Sequence, residues 1–323
     1  MEKNNPIQQK QVCIVVPVYN ESDVVRKFHD LLIKQITNLP YQFSVIYVND
    51  GSIDVTQTLL ADLADSDERI RVIELSRNFG HQAALTAGLD AASGDYIITM
   101  DGDGQHPPQV ISQMLGLAES GYDIVLTQRI DQTDVSPFKR FTSDIFYRLI
   151  NRAGNTSIIP GGADFRLMTA AAVSALKQMP EYHRFLRGMV AWMGFKSVIL
   201  PFEPAVRIGG SSKYSLKKML RLALDAVFSF SLVPLYVGIS IGVLFLVLAL
   251  LEAVYVLSFW VSGRTEMLAP GWSSLMFMLL VVGGSLMVTV GVVGVYIGYI
   301  FQEVKRRPQY LVRTRIPGGE ADD

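Results

Sequence analysis

Two apolar stretches near the C-terminus do most to restrict what this 323-residue chain can become. From about Val227 charge nearly disappears until Glu303, interrupted by Glu252 and by a short break around Arg264 and Glu266. The runs Leu232–Val261 and Ser273–Phe301 are each longer than the roughly 20 residues a helix needs to cross hydrocarbon. The hydrophobic content of 50% is concentrated there and not spread along the chain. The pattern predicts a transmembrane hairpin over residues 232–301, set behind a polar domain. Lys213, Lys217, Lys218 and Arg221 precede the first run, and Lys305, Arg306, Arg307, Arg313 and Arg315 follow the second, whereas the connecting loop offers only Arg264. The positive-inside rule then puts the polar domain, both termini and the basic tail 302–323 in the cytoplasm. An integral membrane protein with two spans is expected.

A net charge of −1 gives no global basic field, so nucleic acid is not an expected partner. Residues 1–11 form a polar segment without the apolar core of a signal peptide, and no cleavable leader is expected. The single cysteine, Cys13, sits inside an apolar run and reads as a small buried hydrophobe, which excludes an intrachain disulfide framework.

Between residues 12 and 212, short β-rich runs alternate with helix-length amphipathic segments. Val12–Val18, Phe43–Val48, Ile70–Leu75, Tyr96–Met100 and Ile124–Thr127 read as strands; Ser22–Ile36, Asp54–Ala64, His81–Ala91 and Pro108–Ser120 read as helices. This βαβ rhythm predicts an α/β fold with a mostly parallel, Rossmann-like sheet covered on both faces. Ligands of such sheets bind beyond the carboxyl ends of the strands. The loops that matter are therefore Tyr19–Glu21, Asn49–Ser52, Arg77–Gly80 and Asp101–His106. Over residues 213–231, Leu216, Met219, Leu220, Ala223, Leu224 and Val227 recur at helical spacing opposite Lys217, Lys218 and Arg221, the pattern of an amphipathic helix lying in the headgroup layer and attracting anionic lipid. The plainer alternative is a helix packed on the sheet.

Three acids fall where the sheet would converge them: Asp50 after the second strand, and Asp101 and Asp103 after the fourth. Carboxylates this close repel unless a divalent cation lies between them, and Mg²⁺ characteristically takes one or two carboxylates together with substrate phosphate oxygens. An Asp-x-Asp pair alone is a weak signal, but one that directly follows an apolar strand is much stronger. The four histidines show no zinc-ligand spacing. Gly238-x-x-x-Gly242 and Gly294-x-x-x-Gly298 could allow close helix packing, although glycine is common in such spans.

The motifs Val16-Pro-Val-Tyr-Asn-Glu21, Asn49-Asp-Gly-Ser52, Ser76-Arg-Asn-Phe-Gly80 and Asp101-Gly-Asp-Gly-Gln-His-Pro-Pro108, in this order, resemble those of inverting family-two glycosyltransferases with the GT-A fold. Ala163-Asp-Phe-Arg-Leu-Met168 and Gly209-Gly-Ser-Ser-Lys-Tyr214, followed by two apolar spans, are similar to the polyprenyl-phosphate glycosyltransferases. That group includes bactoprenol glucosyltransferases and, more distantly, dolichol-phosphate mannose synthases. The resemblance runs from about Val12 to Leu311.

The resemblance implies that Pro17, Tyr19, Glu21, Asp50, Arg77 and Asp101 hold the nucleotide sugar, and that Asp101, Asp103 and Gln105 arrange Mg²⁺ or Mn²⁺ and the diphosphate. Asp164 resembles the proposed base, although an anionic lipid phosphate needs positioning as much as deprotonation. Arg207 and Lys213, with Arg129 and Arg166, are candidates for gripping the acceptor phosphate, Arg as a fork and Lys as a point charge. The implied reaction is inverting transfer of a hexose, glucose from UDP-glucose, to undecaprenyl phosphate at the cytoplasmic face of a bacterial inner membrane. Membrane lipid and a homo-oligomeric partner copy belong to the same expectation. The alternatives are another donor (GDP-mannose, UDP-N-acetylglucosamine or a modified arabinose) or a non-catalytic nucleotide-sugar sensor. A processive synthase is disfavoured because its Gln-x-x-Arg-Trp motif is absent, and a sensor because all four acids are retained.

Overall fold

The computed structural model describes residues 9–130, 162–182, 184–205, 233–263 and 271–317. The chain divides into two compact units, one of residues 1–219 with 308–323 and one of residues 220–307.

The first unit is built on β1 (Gln11–Val18), β2 (Gln42–Asn49), β3 (Ile70–Leu75) and β4 (Tyr96–Thr99), with α1 (Val25–Ile36), α2 (Thr56–Ser66) and α3 (His81–Ala91) between them. Next come α4 (Val110–Glu119), β5 (Ile124–Arg129), β6 (Gly162–Thr169), α5 (Ala170–Lys177), α6 (Leu186–Trp192) and β7 (Ser197–Phe202). A last strand, β8 (Val312–Ile316), belongs to the same sheet, whose order is β7-β5-β6-β4-β1-β2-β3-β8. The strands β1 to β4 pair in parallel, as do β5 and β7, while β6 and β8 run antiparallel to their neighbours. The fold is therefore the mostly parallel α/β sheet that the alternation of elements predicts, with two antiparallel strands, β6 and β8, that it does not.

Central strands covered on both faces must be apolar at every position, and β1 is buried from Val12 to Val18. On one face Val12, Ile14 and Val16 join Phe28 and Leu32 of α1, Leu60 of α2 and Ile111 and Met114 of α4 in the main core. On the other, α3 comes so close that a Cβ on Gly88 would stand 2.2 Å from Val15 Cγ1. Pro17 is tolerated within β1 for a specific reason. The Val15 carbonyl accepts the Met100 amide, so the odd-numbered residues of β1 face β4, and Pro17 lies past the end of that strand where no donor is needed.

The antiparallel insertion of β6 decides the site. Thr99 is paired with Arg166, so the beginning of β6 lies beside the carboxyl end of β4, and the Thr99 hydroxyl donates to the Asp164 carbonyl at 2.6 Å. Without that reversal Asp164 would lie at the opposite edge of the sheet from Asp101.

The second unit contains two long helices, α7 (Val233–Val261) and α8 (Trp272–Lys305), with Gly238 of one against Thr289 of the other. Among the described residues one segment, Val281–Lys305, is long and apolar enough to cross a membrane by length and composition, and α7 contributes a shorter apolar stretch, Leu235–Phe245. Gly242, Gly294 and Gly298 meet nothing within 4 Å, so of the two glycine pairs only Gly238 packs against the neighbouring helix. The expected amphipathic helix over 213–231 lies outside the described residues.

After α8 the chain rejoins the first unit. Gln309 donates to the Glu181 carbonyl, the Tyr310 hydroxyl to Asp90 at 2.9 Å, and the Ser76 amide to the Leu311 carbonyl at 2.8 Å. The segment that reads as a basic tail thus contains the edge strand beside β3. Its alternating Arg313 and Arg315 disguise it as a charged flank.

Candidate active site

The loops at the carboxyl ends of β1, β2 and β3 lock one another. Asn20 adopts a left-handed φ of 51°, its amide donates to Ser52 Oγ at 2.9 Å, and its Oδ1 accepts the Ile53 amide at 2.9 Å. The Glu21 amide donates to Thr56 Oγ1 at 3.0 Å. The Asp50 carboxylate is buried and accepts the amides of Phe79 at 2.7 Å and Gly80 at 2.9 Å. Burial pushes its pKa up, against those two donors. Arg77 is exposed, with its guanidinium 4.1 Å from the Phe79 ring centroid. Pro17, Tyr19, Glu21, Asp50 and Arg77 thus share one edge of the sheet with the acidic loop after β4.

That acidic loop is held from beneath. The Asp101 amide donates to His106 Nδ1 at 2.9 Å, and the His106 ring stacks on Phe165 at 5.0 Å and meets Phe202 edge-on at 5.9 Å. Asp103 Oδ1 accepts the Gln105 amide at 3.0 Å, Gln105 Oε1 accepts from Arg129 at 3.2 Å, and the Gln105 carbonyl accepts the Ala205 amide at 3.1 Å. Arg129, at the end of β5, therefore sits on the acidic loop itself.

His81 joins this loop to Asp164. Its Nε2 is 3.5 Å from Asp101 Oδ1 and 3.5 Å from Asp164 Oδ2. Burial opposes a charged ring, but the carboxylates of Asp101 and Asp164 outweigh it and push the imidazole pKa up to about 9. Asp164 is buried between two guanidiniums. Arg166 Nη2 contacts Oδ1, and Arg187 donates through Nε to Oδ1 at 3.2 Å and through Nη2 to Oδ2 at 2.9 Å. Desolvation alone would raise this carboxyl; Arg187 first, then His81 and Arg166, hold it well below the usual carboxylate range.

Arg166 is 2% exposed and faces Asp164, so it is enclosed within the unit, with no open face for an acceptor phosphate. Arg207 and Lys213 lie outside the described residues. Sequence reasoning missed Arg187 and discounted His81. No local pattern marks Arg187: α6, in whose first turn it lies, is not among the helices that the alternation of elements predicts.

No group of three or more His, Cys, Asp or Glu side chains converges as a complete metal cage among the described residues. The acids nonetheless fit a divalent ion whose shell is completed by a substrate. Asp101 Oδ1 is buried without a hydrogen-bond partner, and Asp101, Asp103 and Gln105 offer the all-oxygen donor set that Mg²⁺ and Mn²⁺ prefer.

Residues 13–176 match glycosyl transferase family 2. An uncharacterized glycosyltransferase of Synechocystis sp. is 38% identical over 302 residues, covering 94% of this chain and 94% of that protein. The bactoprenol glucosyl transferase of Shigella phage SfII is 35% identical over 304 residues, covering 94% of this chain and 97% of its own. Among solved structures, glucosyl-3-phosphoglycerate synthase from Mycobacterium tuberculosis with Mn²⁺, UDP and glucosyl-3-phosphoglycerate is similar at 15% identity and a TM-score of 0.46, covering 68% of this chain and 78% of that one.

Proposed function

Because the chain belongs to glycosyl transferase family 2, we propose that it transfers a hexose, glucose from UDP-glucose, to undecaprenyl or another polyprenyl phosphate with inversion at the anomeric carbon. The observation that carries this reading is the bridge at His81. A donor-side acid, Asp101, and an acceptor-side acid, Asp164, flank one imidazole at 3.5 Å each, so the two substrates would meet over a single residue.

In this reading a phosphate oxygen of the acceptor forms a bond to the anomeric carbon from the face opposite the diphosphate. The bond from that carbon to the diphosphate oxygen breaks, and its electron pair leaves with UDP. The attacking oxygen is already anionic, so no proton has to be removed. Asp164, with both oxygens engaged by arginines, serves as fixed negative charge. Tyr19, Glu21, Asp50 and Arg77 hold the nucleoside side, directly or by fixing the loops that do. Asp101, Asp103 and Gln105 would hold Mg²⁺ or Mn²⁺, which supplies neutralising charge for the departing diphosphate.

The membrane side of the proposal is a cytoplasmic catalytic unit anchored by a two-span hairpin. Three features support it. Leu250, Leu251, Met287 and Val288 of α7 and α8 are well over half exposed, a surface that suits lipid and not water. Val281–Lys305 has the length and hydropathy of a span. The chain also leaves the first unit before α7 and rejoins it at β8, an arrangement that a two-span hairpin would produce. Two is the number that α7 and α8 provide, and the relatives named for bactoprenol, a lipid carrier, agree with that setting.

The test is transfer of radiolabel from a panel of nucleotide sugars to undecaprenyl phosphate, in detergent with Mg²⁺ or Mn²⁺, followed by organic extraction. Label entering the organic phase from UDP-glucose is expected. Label from a different donor would correct the sugar and keep the reaction class; no label from any donor, despite nucleotide binding, would favour a nucleotide-sugar sensor.

A further inference from the structure

We propose that Arg187 grips the acceptor phosphate and that Asp164 is the positioning residue that aims it, an inference resting on the acceptor class assigned above. An anionic phosphate that must approach a departing diphosphate needs a cation beside the donor acids. Three cationic side chains stand against Asp164; Arg166 has no access to solvent, whereas His81 at 34% and Arg187 at 36% are both partly exposed. Arg166 is buried behind the carboxylate, its side chain 2% exposed, and His81 is spent between Asp101 and Asp164. The Arg187 side chain is 36% exposed, so part of it stays accessible beside Asp164.

The contact geometry suits holding and aiming. Nε and Nη2 of Arg187 engage both oxygens of Asp164 in a fork that fixes the guanidinium plane and leaves little rotamer entropy to lose when a phosphate arrives. The backbone position works against this cation, because Arg187 lies in the first turn of α6, where the helix dipole is unfavourable. Leu186, Met189 and Val190 are buried residues of that short helix. The pairing with buried Asp164 holds an arginine here against that dipole, and in this proposal a bound phosphate shares the same guanidinium.

The inference is tested on the full-length protein in detergent, with separate titrations of polyprenyl phosphate and nucleotide sugar for the wild type, Arg187→Gln, Arg187→Lys and Asp164→Asn. Arg187→Gln is expected to raise KM for polyprenyl phosphate by about tenfold or more, the loss of one or two charge-assisted hydrogen bonds, with KM for the nucleotide sugar unchanged. Arg187→Lys, which keeps the charge and guards against a folding failure, should recover part of that loss. Asp164→Asn should move the same acceptor KM and keep the wild-type shape of the pH–rate profile. A wild-type acceptor KM in Arg187→Gln, or equal rises for both substrates, overturns the assignment. So does an Asp164→Asn variant that loses only kcat together with the acidic limb of its pH profile, the signature of a base. A wild type that labels no lipid from any donor overturns the proposed function and this inference together, an outcome visible before any variant is compared.

Discussion

The backbone amide of Asp101 donates to Nδ1 of His106 at 2.9 Å, which fixes the proton of that imidazole on Nε2, 3.8 Å from Asp101 Oδ2. One ring thus sets both the backbone and the carboxylate of the first acid in the Asp-x-Asp loop, and its stack on Phe165 ties that loop to β6. His106→Phe preserves the stacking and removes the acceptor. Metal-dependent UDP binding, measured by calorimetry, should weaken by about tenfold, in line with roughly 1–1.5 kcal/mol for a lost hydrogen bond, while the melting temperature changes little.

Asp103→Asn tests the metal assignment. The substitution keeps an oxygen able to accept the Gln105 amide, so the turn survives and only the charge is lost. Transfer should fall by about 100-fold or more at limiting Mg²⁺, given that a catalytic metal supplies several kcal/mol of charge stabilisation. Chelation of the wild type should produce a comparable loss that added Mg²⁺ or Mn²⁺ reverses. Wild-type turnover in the variant at limiting metal would remove Asp103 from the ligand set.

Gly51→Ala should uncouple two loops of the nucleotide edge. Gly51 has a φ of +64°, and a Cβ there would stand 2.3 Å from the Arg77 carbonyl carbon, a backbone atom that cannot step aside alone. We expect a loss of at least ~1–3 kcal/mol from backbone strain and a melting temperature several degrees lower. Because Asp50 holds the same 77–80 loop through Phe79 and Gly80, UDP affinity should fall with stability.

His29 predicts a pH dependence of stability separate from catalysis. Its ring is buried, 3.2 Å from the Tyr47 hydroxyl, and burial lowers its pKa below the ordinary 6.5 despite the pull of Asp30 and Asp67. The unfolded chain therefore takes up a proton near pH 6.5 that the folded unit refuses. The contribution is fully present above that pH and is lost as pH falls from 6.5 toward the folded pKa, with each tenfold difference in proton affinity equal to about 1.4 kcal/mol. Melting temperatures between pH 7.5 and 5.5 should drop less steeply in His29→Phe, and an unchanged slope would assign the effect to other groups.

The parallel half of the sheet was legible because its strands are continuous apolar runs bounded by loops. Asp50, Asp101 and Asp103 were legible because they directly follow such runs. The antiparallel strands were not. The motif around Asp164 carries no turn signal that reveals β6 running backwards, yet that direction is what brings Asp164 to Asp101. β8 places Arg313 and Arg315 between Val312, Thr314 and Ile316, and next to an apolar helix those arginines read as a membrane flank before they read as part of an edge strand. Arg187 meets Asp164 across 23 positions of sequence, through a helix whose placement depends on tertiary packing and not on local pattern.

The location of β8 sets an order of assembly. During synthesis β3 is complete long before residues 312–316 emerge, and in the interval both long helices must be made. Until then the outer edge of β3 presents unpaired backbone groups, a template for aggregation. The catalytic unit therefore closes its last edge only after the hairpin has left the ribosome. A chain interrupted before the two long helices keeps an open sheet edge, so completion of the sheet reports that the apolar half has been made.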